Sequence, residues 1–199
     1  MESSRQQVRE IIEKLTPNLS PEDRAQQEAL LSEVVDEGKL LKDVLNVSDD
    51  TIEYLYSQAY RLYKTGKYKD SSRYFHILYM LNGLDLRFTM GIAACHHMQK
   101  EYQKAVEWYF VCAALDENSP LPYYHISDCF LKMEENLSAL IALKMLEARI
   151  TDEPQFAQIK EKSMRMIAKL SEEMEDHRIA EQLKIEKEPA QQKEEAKTE

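Results

Sequence analysis

Apolar residues in the middle of this chain fall at helical spacing, and the helices they mark recur every 34 residues. In the first such helix Leu55, Ala59 and Leu62 stand at i, i+4 and i+7, the stripe by which a helix packs on a neighbour. One period later Ala59 recurs as Ala93, Tyr68 as Tyr102 and Phe75 as Tyr109, while Leu62 gives way to His96 and then Phe130. A third register puts Tyr123, Ser127, Phe130, Ala139, Leu143 and Leu146 at the same offsets. Polar breaks at Thr65-Gly66-Lys67, Gln99-Lys100-Glu101 and Met133-Glu134-Glu135 divide each unit into two helices. The units are therefore placed at residues 51–85, 86–119 and 120–153.

Two-helix units of 34 residues, with small and aromatic residues at fixed offsets, form the tetratricopeptide pattern. No such unit buries its apolar stripe alone, so three of them should stack into an all-α solenoid with a concave face. Every aromatic residue lies between Tyr54 and Phe156, which confines the core to the repeats. Ahead of them, residues 1–15 carry Val8, Ile11, Ile12 and Leu15 on one stripe, and Thr16-Pro17-Asn18 breaks it. Ser20-Pro21-Glu22-Asp23 then opens a second helix with a cap, a first-turn proline and two acids. That helix, predicted over 21–37, carries Ala25, Leu30, Leu31, Val34 and Val35, and a short apolar stretch, Leu40, Leu41, Val44 and Leu45, follows. Beyond Pro154, Phe156, Ile159, Met164, Ile167 and Leu170 predict a helix running to about Leu183 that caps the open end of the stack. The expected organisation is thus N-terminal helices over 1–47, repeats with capping helix over 48–183, and a charged, disordered tail over 184–199.

Composition narrows the function. The net charge of −10 argues against nucleic acid, whose phosphates need a basic stripe. No run of 18 apolar residues is present, and the first ten residues lack the basic start and apolar core of a signal peptide, so stable membrane insertion is not expected and the cytoplasm is. Cys95, Cys112 and Cys129 stand 17 apart, half a repeat, and read as small buried packing residues in a reducing compartment. His96 and His97 project about 100° apart on a helix, and His76 and His125 lack ligand partners at useful spacing, so no metal or cofactor is predicted. No nucleophile, acid–base or phosphate-cradling motif occurs, and nothing supports an enzyme.

Beside the packing stripe of the first repeat helix runs a second, Tyr56, Tyr60 and Tyr63, which should face the concave side. The next repeat presents Met90, Ala94 and His97 at equivalent places, and the third presents Leu121, Tyr124, Asp128 and Leu131. Tyrosine offers rigid apolar area with a hydroxyl, and methionine adapts its shape, so Tyr56, Tyr60, Tyr63, Met90, His97, Leu121 and Tyr124 form a candidate peptide-binding set. A tetratricopeptide adaptor that clamps a partner's C-terminal carboxylate would need cations at these places, where tyrosines stand instead. An adaptor or regulatory scaffold for a soluble partner peptide uses the same groove and stays open as an alternative.

Several stretches go beyond the generic repeat. They are Asp50-Thr-Ile-Glu-Tyr-Leu-Tyr-Ser-Gln-Ala-Tyr60, Tyr63-Lys-Thr-Gly-Lys-Tyr68, Asp85-Leu-Arg-Phe-Thr-Met-Gly-Ile-Ala-Ala-Cys95, Tyr102-Gln-Lys-Ala-Val-Glu and Tyr124-His-Ile-Ser-Asp-Cys129, with Pro154-Gln-Phe156 after them. Over about residues 40–168 the chain resembles the bacterial class II chaperones of type III secretion, the SycD/LcrH/IpgC type. Ser71 where the repeat prefers alanine, Asn136 in place of an aromatic, and a longer acidic tail depart from the pattern. The resemblance implies three repeats, a homodimer made through N-terminal helices, and a concave groove. It also implies the clients: hydrophobic pore-forming translocators, held in the bacterial cytoplasm by an extended segment of the P-x-L-x-x-P kind.

Overall fold

The computed structural model describes residues 20–195, and every regular element in that span is helical. The predicted helix over 1–15 lies outside the described residues. The elements are α1 (Pro21–Val35), α2 (Leu41–Val44), α3 (Asp49–Lys64), α4 (Tyr68–Leu81), α5 (Leu86–Met98), α6 (Tyr102–Leu115), α7 (Leu121–Lys132), α8 (Asn136–Glu147), a single 3₁₀ turn (Pro154–Phe156) and α9 (Ala157–Glu195). The chain divides into two compact units, Met1–Gln99 and Lys100–Glu199, with the boundary in the turn between α5 and α6.

In the first unit α3 and α4 are the first repeat, and α5 packs on α4. Ser48 caps α3 by accepting from the Thr51 amide at 3.2 Å, and Asp49 and Asp50 meet the positive end of the helix dipole. Ala59, Phe75, Leu78, Phe88, Ile92, Ala93 and Cys95 are buried. Ser71 is also fully buried, and its hydroxyl donates to the Ala59 carbonyl at 2.8 Å while the Cys95 thiol lies 3.4 Å away. The departure from alanine at this position therefore adds a satisfied bond between the two helices of the repeat rather than an orphaned polar group.

In the second unit α7 packs between α6 and α8, and α9 packs on α8. Ile167 and Leu170 join Ala139 and Leu143 in one buried cluster, as a capping helix requires. Met164 departs from the predicted stripe and is 53 % exposed. The buried face runs instead through Ser163, Ile167 and Leu170, and one residue of helix turns a side chain by about 100°.

No disulfide joins the three cysteines, which are buried, one each on α5, α6 and α7. Burial pushes the Cys95 thiol up, and burial with the Asp128 charge pushes Cys129 up to about 12. At neutral pH Cys129 is a protonated packing group.

The turns inside the repeats share one backbone device. Gly66, Lys100 and Glu134 all take left-handed φ values, 76°, 63° and 62°, at intervals of one repeat. In the first and third turns the amide three residues past the helix, of Lys67 and of Glu135, bonds back to Leu62 and to Phe130, closing a Schellman-type cap. Only the first of the three turns uses glycine, the residue suited to this conformation.

The tail corrects an expectation. Residues 184–195 were predicted to be disordered, and α9 instead continues to Glu195. Glu, Lys, Gln and Ala lack the apolar surface to pack but are strong helix formers, so poverty in hydrophobic residues is not loss of helix.

Candidate functional site

Within the first unit α3, α4 and α5 enclose a cleft of about 360 Å³. Tyr56, Tyr60 and Tyr63 line it from α3, Phe75 from α4, and Leu86, Arg87, Met90, Gly91 and Ala94 from α5. The i, i+4, i+7 spacing of the tyrosines puts three rings along one wall. Residues exactly one repeat further on, Met90 opposite Tyr56 and Ala94 opposite Tyr60, form the facing wall. Tyr60 remains 46 % exposed, while Tyr56 and Tyr63 are half-buried.

The rings are held by one another. Tyr56 stacks on Tyr60 with centroids 6.4 Å apart, and meets Phe75 edge-on at 6.0 Å. Tyr63 meets Tyr68 edge-on at 5.4 Å. Burial pushes the Tyr63 phenol above its ordinary range, so it stays a neutral hydroxyl that can donate or accept. Such contacts fix the tyrosines as a preformed surface.

Arg87 fastens one end. Its guanidinium donates to Glu53 at 2.8 Å and to Asp85 at 2.7 Å, and lies 4.8 Å from the Tyr56 ring centre. Asp85 in turn caps α5 by accepting from the Arg87 amide at 2.9 Å. Burial alone would raise the Asp85 carboxyl, but its bonds to Arg87 outweigh that and hold it below the usual range. Arg87 itself is held above its ordinary value by the same two carboxylates. The one cation lining the cleft is thus engaged with two acids, and the pocket offers a partner aromatic and aliphatic surface.

Gly91 sets the depth. A Cβ at this position would come within 2.5 Å of the Phe75 ring, which is itself buried. The Asp-x-Arg-Phe-x-x-Gly stretch therefore contains a cap, a clamp, a core ring and a close approach.

Of the residues singled out in the sequence, Tyr56, Tyr60, Tyr63 and Met90 come together here. His97 is half-buried on α5 and does not line this cleft. Leu121 and Tyr124 belong to the second unit, where the Lys162 ammonium donates to the Tyr124 hydroxyl at 2.8 Å. Beside Tyr124 lies a crevice of about 10 Å³, room for about one water. Phe75, Leu86, Arg87 and Gly91 stand outside the candidate peptide-binding set read from the sequence: Phe75 reads as core, and an arginine is invisible to an apolar pattern. Among the described residues no group of three or more histidine, cysteine or acidic side chains could hold a metal, and no helix is long and apolar enough to cross a membrane.

Comparison with known proteins adds the following. The tetratricopeptide repeat family matches residues 86–118. The low calcium response locus protein H of Yersinia pseudotuberculosis is 34 % identical over 131 residues, covering 65 % of this chain and 78 % of that protein. The chaperone protein SicA of Salmonella typhimurium is 30 % identical over 124 residues, covering 62 % and 75 %. Two solved structures of the type III secretion chaperone SycD of Yersinia enterocolitica each match with a TM-score of 0.61 and 30 % identity. One, in complex with a peptide of the translocator YopD, covers 64 % of this chain and 98 % of its own. The other, described as an alternative dimer, covers 65 % and 98 %.

Proposed function

Since the chain belongs to the family of type III secretion translocator chaperones, we propose that it binds an extended apolar segment of a secreted translocator in the cleft between α3 and α5. The observation that carries this reading is the cleft itself, a preformed trough walled by three tyrosines and closed at one end by an arginine already paired. A translocator must enter a membrane after export. In the bacterial cytoplasm the same apolar segments would aggregate, and a partner that occupies one lowers its free concentration by mass action. The complex of SycD with a YopD peptide supports the same use here.

A P-x-L-x-x-P segment suits these walls. Its prolines favour the extended conformation in which alternate side chains enter pockets between aromatic rings, and its backbone carbonyls can accept from tyrosine hydroxyls. Calorimetry with a synthetic peptide of this kind tests the reading. Tyr60→Ala should weaken binding by about 1–3 kcal/mol, the loss typical of an interface aromatic. Because Tyr60 is 46 % exposed, the helical circular dichroism should not change. Replacing the peptide's leucine with Asp should abolish binding, since no free cation lies in the lining to offset a buried carboxylate. Equal affinity for the two peptides would defeat the reading.

The segment 1–47 is proposed as a homodimer contact. α1 has α2 as its main helix neighbour, and Leu31 and Val35 on it are 36 % and 51 % exposed. An apolar stripe left open in this way can be covered by a second copy, and the SycD structure described as an alternative dimer supports a dimeric state here.

A further inference from the structure

Arginine presents two edges to a carboxylate, one made by Nε with an Nη atom and the other by the two Nη atoms, and each edge can donate a parallel pair of bonds. At Arg87 both edges are taken by acids of the same chain. Nε and Nη2 donate to Asp85 at 3.1 and 2.7 Å, and Nη1 and Nη2 donate to Glu53 at 3.2 and 2.8 Å. The flat face is used as well, since it lies 4.8 Å from the centre of the Tyr56 ring. An arginine in the wall of a peptide cleft is well suited to anchor an acidic side chain, and this one has no edge left to offer.

The two acids reach Arg87 by different routes. Asp85 caps α5 two residues before Arg87, so the start of that helix fixes it in place. Glu53 comes from α3, one repeat earlier in the chain and one helical turn before Tyr56. Its side chain is 55 % exposed and that of Arg87 44 %, and an ion pair as open as this adds little to stability. Its effect on recognition is larger. Glu53 fills the edge that Asp85 leaves open, and two carboxylates against one guanidinium give this end of the cleft a net negative charge.

We infer that Glu53 is a specificity-determining residue of the cleft: by occupying the Nη edge of Arg87 it denies that edge to an acidic side chain of the client, so that neutral segments are selected over acidic ones. The inference rests on the peptide-binding reading of the cleft and adds the rule by which the cleft chooses among segments. Glu53 does not itself line the cleft and acts through Arg87. A segment carrying Asp or Glu near Tyr56 meets the repulsion of Glu53 and Asp85, and finds no donor on Arg87 in exchange for its lost water. A neutral segment meets only rings and aliphatic groups there.

The test uses fluorescence anisotropy with labelled synthetic P-x-L-x-x-P peptides, one with alanine at every x and a set with a single Asp in place of one x or just outside one proline. On the full-length chain no Asp peptide should bind more tightly than the alanine peptide. On full-length Glu53→Ala at least one Asp peptide should bind about tenfold more tightly than on the unaltered chain, the gain expected of a charge-assisted pair of bonds, while the alanine peptide binds both chains alike. In Glu53→Ala/Arg87→Ala that gain should vanish. Glu53 is exposed and alanine favours helix, so unchanged circular dichroism verifies that α3 is intact. A gain that persists without Arg87 would reduce Glu53 to a repelling charge and overturn the role given to the Arg87 edge. Equal weakening of every peptide on Glu53→Ala would make the pair a brace between α3 and α5, and unchanged ratios between Asp and alanine peptides would show no selection. Either result overturns the inference, while binding of the alanine peptide to the unaltered chain keeps the cleft as a peptide site. Failure of that peptide to bind would defeat the underlying reading and the inference together.

Discussion

At residue 91 a single hydrogen in place of a methyl group decides how closely Phe75 approaches α5. The Phe75 ring lies where the Cβ of any larger residue would be, at 2.5–2.6 Å, and being buried it has little room to withdraw. Glycine inside a helix costs about 1 kcal/mol relative to alanine, so propensity alone favours Gly91→Ala. The overlap acts the other way, and forcing a methyl into a packed contact costs about 1–3 kcal/mol. The steric term should win. Gly91→Ala is expected to lower the thermal midpoint and to weaken capture of a P-x-L-x-x-P peptide, because the displaced ring forms the floor of the cleft. A variant that is stabilised and binds normally would show that Phe75 moves freely. At this scale the sequence was readable only in part. The tyrosine stripe emerged from spacing, whereas Arg87 and Phe75 enter the cleft through partners, Glu53 and Gly91, that lie one repeat or one helix away. His97 shows the converse limit. Its offset from Tyr63 is one full repeat, yet it does not line the pocket, because equal offset guarantees an equivalent face and not a shared cavity.

Among elements, the intra-repeat turns were the most legible part of the chain. Breaks at 65–67, 99–101 and 133–135 became left-handed residues at 66, 100 and 134, since a two-helix unit of fixed length must reverse at fixed places. Lys100 and Glu134 hold a conformation that costs a side-chain-bearing residue roughly 1–2 kcal/mol, while glycine adds about 0.5–1 kcal/mol of unfolded-state entropy. The difference predicts that Lys100→Gly and Glu134→Gly each stabilise the chain, by about 0.5–1 kcal/mol, in chemical denaturation. Gly66→Ala should destabilise it by a similar amount. A loss of stability on introducing either glycine would mean that side-chain contacts at these turns outweigh the backbone term. The far end was less legible. Composition over 184–195 was read as disorder because it lacks apolar residues, and the helix of α9 extends through it. Absence of a packing face and absence of helix are different properties, and the pattern of hydrophobic positions reports only the first.

For the molecule as a whole, the repeat count and the helical class could be read from periodicity, but the role of the N-terminal segment could not, since it lies outside the repeat register and carries no aromatic residue. What the structure adds is that α1 leaves Leu31 and Val35 open instead of covering them on the repeats. Exposed aliphatic residues on a helix with a single short helix as its main neighbour give little reason for α1 to be stable alone, because a helix of 15 residues is marginal in water without a packed face. A second copy presenting the same stripe would satisfy both helices in a closed, two-fold arrangement. The proposed dimer contact therefore predicts that the full-length chain sediments as a dimer and that deletion of residues 1–35 yields a monomer. The deleted chain should keep the helical signal of its repeats, since Ser48 and the two acids after it still cap α3. Sedimentation of the full-length chain as a monomer would refute the contact. Dimers that persist after the deletion would move the interface to the repeats, where Met80 and Leu84 in the first unit and Leu137 and Ile141 in the second are the large apolar side chains left most exposed.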